Sequence, residues 1–247
     1  MALLIYARFF ECNTSAVWDY FLRKISLVIF DCDGVLVDSE CLSVQVLIET
    51  FAEIGVAIDR PFVFKHFLGH SFSSVAAKFA RLHGTDVSDN FEADYRISLL
   101  RRFASELKPM PGIEEVMDGL AVPFCVATGS SPLRVSKSLE LANLSARVAG
   151  RVFTTSMVAR GKPAPDVFLY VASEMKVPPE ECLVVEDSAT GIEAANAAGM
   201  VVWQFAGGCH YKNGYLRDSP SLLVDRVFDR MDSFFAAAPQ LKRPIWK

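Results

Sequence analysis

The sequence predicts an α/β chain: a doubly wound parallel sheet with a helical subdomain inserted into it. Four short apolar runs rich in valine, Ile25 to Phe30, Pro123 to Thr128, Glu181 to Glu186 and Met200 to Phe205, have the length and continuity of strands buried on both faces, and Arg151 to Thr154 is a candidate fifth. Amphipathic stretches alternate with them at 114–120, 132–141, 165–175 and 188–198, the last stopped by Gly199. The stretch from Glu40 to Lys108 breaks the alternation. It has helical periodicity at 42–54, 74–82 and 91–107 and no strand signal, and Pro109 with Pro111 and Gly112 marks the return to the sheet.

Each element has a local cause. The runs at 25–30 and 181–186 end in acidic residues, and the run at 123–128 ends in Thr128 before a Gly-Ser-Ser turn. In an open parallel sheet the ligand crevice lies beyond the carboxyl ends of the strands, so these polar groups share one edge. With 247 residues, 51% of them hydrophobic and 22% charged, the chain has the composition of a globular protein that buries a substantial core. A net charge of −4 and a pI near 5.6 supply no basic field for nucleic acid. The densest basic cluster, Arg96, Arg101 and Arg102, is interleaved with Glu92, Asp94 and Glu106, the pattern of a solvated helix face. The apolar opening stretch is interrupted by Arg8 and is too short to span a bilayer, so residues 1–24 are read as an extension without an assigned role. Six cysteines without a Cys-x-x-Cys pair are expected to be buried thiols in a reducing, cytoplasmic compartment.

Asp31 and Asp33 stand at i and i+2, so their carboxylates leave the strand end on one side while Cys32 points into the core. Carboxylates this close repel, and such a site shares a proton or recruits an oxygen-preferring divalent cation, with Mg2+ the natural candidate. Glu186 and Asp187 end a second strand of the same sheet and can converge on the same ion. Thr128, Gly129 and Ser130 precede a helix, where backbone N–H groups and hydroxyls favour an anion. Lys162 sits in a proline-stiffened loop, Gly161-Lys162-Pro163-Ala164-Pro165, as a fixed ammonium at that edge.

Taken in order, Asp31-x-Asp33-Gly34-Val35-Leu36-Val37-Asp38-Ser39, Thr128, Lys162-Pro163 and Glu186-Asp187 resemble the four motifs of the haloacid dehalogenase superfamily of phosphatases, and the match covers nearly everything after Ile25. The resemblance implies a Rossmann-like core (25–39 and 109–247) with a helical cap (40–108). It implies Asp31 as nucleophile, Asp33 as general acid and base, Thr128 and Lys162 as the phosphate-orienting pair, and Mg2+ held by Asp31, Asp33 through its carbonyl, Glu186 and Asp187. Asp33 argues for phosphoryl chemistry, because the dehalogenating and phosphonate-cleaving members lack it. The branch that this chain resembles holds β-phosphoglucomutases and sugar-phosphate phosphatases. Phe72 stands where the mutases carry a cap-loop arginine and Ser43 where they carry a histidine, which favours hydrolysis of small phosphate esters, 6-phosphogluconate among them. Gly69, His70 and Ser71 are the expected substrate contacts from the cap. The expected partner is a small phosphorylated metabolite, with no nucleic acid or membrane, on a monomer or weak homodimer.

Overall fold

The computed structural model describes residues 24–67, 72–83, 87, 90–212 and 223–244. The expected contacts Gly69, His70 and Ser71 and nearly all of the 1–24 extension lie outside the described residues. Six parallel strands, β1 (Leu27–Phe30), β2 (Phe124–Thr128), β3 (Val152–Thr154), β4 (Cys182–Glu186), β5 (Val201–Phe205) and β6 (Arg226–Phe228), form one sheet in the order β3-β2-β1-β4-β5-β6. The chain builds outward from β1 to β3, then crosses back to lay β4 on the other side of β1. That reversal splays the loops around β1 and opens the crevice at its carboxyl end.

Period-two alternation sets both faces of the core. In β1, Val28 and Phe30 enter one apolar cluster, which Cys32 continues, while Leu27 and Ile29 enter the other. The first face is covered by α5 (Ile113–Gly119) and α6 (Pro132–Leu141), the second by α7 (Asp166–Met175) and α8 (Ala189–Ala197). Helix α6 begins with Pro132 after Ser131, whose side chain accepts the Arg134 N–H. Ser188 caps α8 in the same way by accepting from Gly191.

Four helices stand between β1 and α5: α1 (Glu40–Glu53), α2 (Arg60–His66), α3 (Phe72–His83) and α4 (Phe91–Glu106). They bury a cluster of their own around Phe51, whose ring centroid lies 4.6 Å from those of Phe79 and Phe91 and 6.0 Å from that of Phe67. The sequence reading lacked α2, a short helix started by the Asp59 side chain accepting from Phe62 N–H. It also lacked β6, whose three residues Arg226, Val227 and Phe228 have too little apolar continuity to signal a strand. Short helices α9 (Cys209–Lys212) and α10 (Phe234–Ala237) complete the described elements, apart from short 3-10 turns.

The thiol expectation is corrected at one pair. Cys41, in the first turn of α1, is bridged to Cys209, 168 residues later at the start of α9. The backbone N–H of Cys209 donates to Asp38 Oδ1 at 3.0 Å, so the crosslink sits where the helical insert leaves β1. Spacing misses such a pair, since the two cysteines meet only through the fold. Cys32, Cys125 and Cys182 are free and buried. With one pair bridged, cysteine usage gives no support to a reducing compartment. Among the described residues, no helix is long and apolar enough to cross a membrane.

Closing so long a loop restricts the unfolded chain, so reduction should lower stability by about 2–4 kcal/mol, read as a fall in thermal midpoint. Proteolytic mapping without reductant should recover a peptide joining Cys41 to Cys209, and recovery of both as free thiols contradicts the pairing.

Candidate active site

The carboxyl ends of β1, β2 and β4 and the loop before α7 deliver their polar groups to one cavity of about 280 Å³, closed on its other side by Val44, Leu47 and Leu99 of the insert. Asp31 lies one residue beyond β1 and is 6% exposed. Lys162 reaches it from the loop before α7, with Nζ donating to Asp31 Oδ1 at 2.7 Å, to Glu186 Oε1 at 2.5 Å and to the Ala127 carbonyl at 3.2 Å. Its ammonium also stands 5.1 Å from the Phe168 ring centroid. Glu186 is fully buried at the end of β4, and its Oε2 accepts from the Asp187 and Ser188 N–H groups, each at 2.9 Å, and from Ser188 Oγ at 3.0 Å.

Two glycines make this packing possible. Gly34 has φ +78°, and a Cβ there would fall 1.9 Å from Asp187 Oδ2. At Gly191 in the first turn of α8 it would fall 1.7 Å from Glu186 Oε1. A side chain at either position would displace a carboxylate.

Asp33 is held differently. Ser39 Oγ and Arg134 Nη2 each donate to its Oδ1 at 2.7 Å, and Ser130 Oγ donates to its Oδ2. Thr128 is buried at the end of β2, where its Oγ1 accepts the Ser130 N–H at 3.1 Å. Every described residue expected at the site is therefore brought together: Asp31, Asp33, Thr128, Gly129, Ser130, Lys162 and Asp187 line the cavity, and Glu186 lies behind Lys162.

The electrostatics follow from burial and pairing. Burial pushes the Asp31 carboxyl well above the usual carboxylate range; Lys162 opposes this, while Glu186, Asp187 and Asp33 add to it. Asp187 is likewise raised, by burial first and Glu186 second. For Asp33 burial works in the same direction, but Arg134 and the hydroxyls of Ser130 and Ser39 outweigh it and hold the group below its ordinary value. Lys162 stays charged, because Asp31 and Glu186 more than offset its desolvation. Five carboxylates, Asp31, Asp33, Glu40, Glu186 and Asp187, thus face three cations, Lys162, Arg134 and Arg96, and the excess is negative. Asp31, Glu186 and Asp187 offer oxygens within 4.8 Å of one another, all buried, a hard donor set that fits a divalent cation.

The sequence reading missed Arg134, Glu40, Tyr95 and His210. Arg134 gave a signal, since a cation in the first turn of a helix opposes the helix dipole and calls for a local anion. His210 gave none. It is fully buried, with Nε2 3.0 Å from Asp187 Oδ2 but outside hydrogen-bonding geometry, and burial depresses its pKa, so this approach is not an ion pair.

Known proteins resemble this chain in sequence and in fold. The sequence model of haloacid dehalogenase-like hydrolases matches residues 25–199, a span that includes every carboxylate described above. The chain belongs to that family. Within it, the chain is 31% identical over 193 residues to the 6-phosphogluconate phosphatase of Escherichia coli K12, covering 77% of this chain and 87% of the relative. It is 28% identical over 180 residues to a phosphorylated carbohydrates phosphatase of Thermotoga maritima, covering 70% and 81%. The solved structure of a haloacid dehalogenase-like protein of unknown function from Agrobacterium tumefaciens superposes with a TM-score of 0.74 at 30% identity, covering 87% of this chain and 98% of that one. This chain is therefore a haloacid dehalogenase-like hydrolase.

Glu40 provides a pH test of the site's negative field. Burial, and then Asp33, push its carboxyl up to about 8, with Asp187 adding and Arg134 opposing. Between the unfolded value near 4.5 and about 8 the folded state binds the extra proton, so stability is lost as pH rises through that window. With divalent ions chelated, the thermal midpoint of Glu40→Gln relative to wild type should rise between pH 5 and pH 8.5. A pH-independent difference would show that Glu40 does not feel the other carboxylates.

Proposed function

We propose that this chain is a Mg2+-dependent phosphatase of small phosphorylated sugars or sugar acids, working through an aspartyl phosphate on Asp31. The observation that carries the reading is the Asp31 carboxylate, buried at the crevice with Lys162 on one oxygen and Glu186 and Asp187 beside it. The substrate class is supported by the E. coli and T. maritima relatives, which by name act on 6-phosphogluconate and phosphorylated carbohydrates.

In this reading the insert over 40–108 is a cap on a core formed by 25–39 and 109–247. Mg2+ would be held by Asp31, Glu186 and Asp187, with the Asp33 carbonyl as a further oxygen. When bound, it supplies positive charge that offsets the repulsion between an anionic ester and an anionic nucleophile. Lys162 favours the ionised form of Asp31 and, with Thr128 and the N–H groups of Gly129 and Ser130, orients the phosphoryl oxygens. Asp31 attacks phosphorus in line, the bond to the ester oxygen breaks, and Asp33, which takes up a proton once it has left Arg134, Ser39 and Ser130, gives that proton to the departing alkoxide. Asp33, now a carboxylate, takes a proton from the water that attacks the acyl phosphate, which returns Asp31 and releases phosphate. One residue serves both half-reactions, so the outward hold on Asp33 by Ser39, Ser130 and Arg134 must be temporary. Phe72 and Ser43, at positions where mutases carry arginine and histidine, support hydrolysis over transfer to a second sugar oxygen.

Purified protein with Mg2+ should release phosphate from a panel of sugar phosphates. Asp31→Asn should abolish release with an unchanged circular dichroism spectrum, and Asp33→Asn should slow it roughly 10²- to 10⁴-fold. Turnover retained in Asp31→Asn overturns the nucleophile, and accumulation of an isomeric sugar phosphate ahead of free phosphate overturns the hydrolase reading.

A further inference from the structure

Three cations line the cavity among the described residues, and they differ in what they are free to do. Lys162 is committed to Asp31 and Glu186, and Arg96 pairs with Glu92 at a half-exposed position on α4. Arg134 is the third. It rises from the first turn of α6 in the sheet domain, with its guanidinium 5.5 Å from the Phe103 ring centroid. Its Nη2 is shared between Asp33 Oδ1 at 2.7 Å and Ser43 Oγ of α1 at 3.0 Å, and its Nε is buried without a hydrogen-bond partner. A guanidinium has five donors in a planar fork, and here one nitrogen carries both side-chain contacts.

Both oxygens of Asp33 are occupied in this state, Oδ1 by Ser39 and Arg134 and Oδ2 by Ser130, so Asp33 serves an ester oxygen only after giving up some of these partners, of which Arg134 is the charged one. When it leaves, a largely buried guanidinium loses its anion, and an uncompensated buried charge is costly. The contact with Ser43 puts Arg134 on the side of the cavity that faces the insert, where the leaving part of an ester lies when its phosphoryl group is against Asp31, Thr128 and Lys162.

We propose that Arg134 is a specificity-determining residue that takes a second anionic group, a carboxylate or a second phosphate, on the leaving part of the substrate, and that this exchange releases Asp33 for proton transfer. The inference rests on the phosphatase reading above and narrows its substrate class to dianionic-plus-anionic small molecules. A neutral sugar phosphate offers Arg134 no replacement for Asp33, so it should be turned over more slowly even when it fits the cavity equally well.

The test compares 6-phosphogluconate (carboxylate), glucose 1,6-bisphosphate (second phosphate) and glucose 6-phosphate (neutral leaving part) on wild type, Arg134→Met and Arg134→Lys, measured as kcat and KM with Mg2+. Wild type should prefer at least one of the two charged esters to glucose 6-phosphate. Arg134→Met should cut kcat/KM for that ester by about 100-fold or more, and for glucose 6-phosphate by less than about tenfold, with partial recovery in Arg134→Lys. Calorimetric titration of the same ligands into Asp31→Asn and Asp31→Asn/Arg134→Met should show the same selective loss of affinity without turnover. Equal losses on charged and neutral esters, or a wild type indifferent to the second charge, would overturn the assignment while leaving the phosphatase intact. A wild type that releases phosphate neither from these three nor from any other sugar phosphate would overturn the phosphatase reading and this one with it.

Discussion

The site depends on one ammonium. Lys162 spans the gap between the ends of β1 and β4 by donating to Asp31 and Glu186 at once, and the backbone carbonyl of Ala127 near the end of β2 accepts a third hydrogen bond from it. Three strands that are distant in sequence are thereby tied at a single buried point. Without that charge the carboxylates would repel one another in a low-dielectric crevice, and Asp31 would lose the partner that favours its ionised form. The sheet order makes the arrangement possible, because the chain reverses around β1 and brings β2 and β4 to either side of it.

Two carboxylates two residues apart are managed in opposite ways. Asp31 faces Lys162 and the acidic cluster, and its pKa is driven up. Asp33 turns towards Arg134, Ser39 and Ser130, and its pKa is driven down. In this state those directions run opposite to the proposed parts, an ionised Asp31 and a protonated Asp33, so the reaction requires Asp33 to give up Arg134 first. The crosslink of Cys41 to Cys209, next to Asp38, anchors the insert at the same end of the sheet, so the wall that covers the cavity starts from a fixed point.

The parts of this molecule legible in the sequence are those with local causes. Apolar continuity gave five of the six strands to within two residues, and the acidic or small residues that follow β1, β2 and β4 gave the edge where the site forms. Motif order then named Asp31, Asp33, Thr128, Lys162, Glu186 and Asp187, all of which meet around one cavity. The features that escaped depend on tertiary contact. Cys41 and Cys209 meet only because α1 returns to the loop after β5, and His210 reaches Asp187 only because Gly34 and Gly208 leave room for its ring. Arg134 lay between these cases: its position at the start of α6 signalled an anion nearby, but which anion was set by the fold. Strand β6 and helix α2 were missed because three and seven residues are too few to establish a period.

The central claim, that Asp31 becomes phosphorylated during turnover, is open to direct measurement. A substrate labelled with radioactive phosphorus, mixed with the protein and Mg2+ and quenched in acid within one turnover, should leave an acid-stable, hydroxylamine-labile label on the peptide that contains Asp31. Label on another residue, or phosphate released with no protein-bound label in a protein whose dephosphorylation has been slowed by Asp33→Asn, would contradict it.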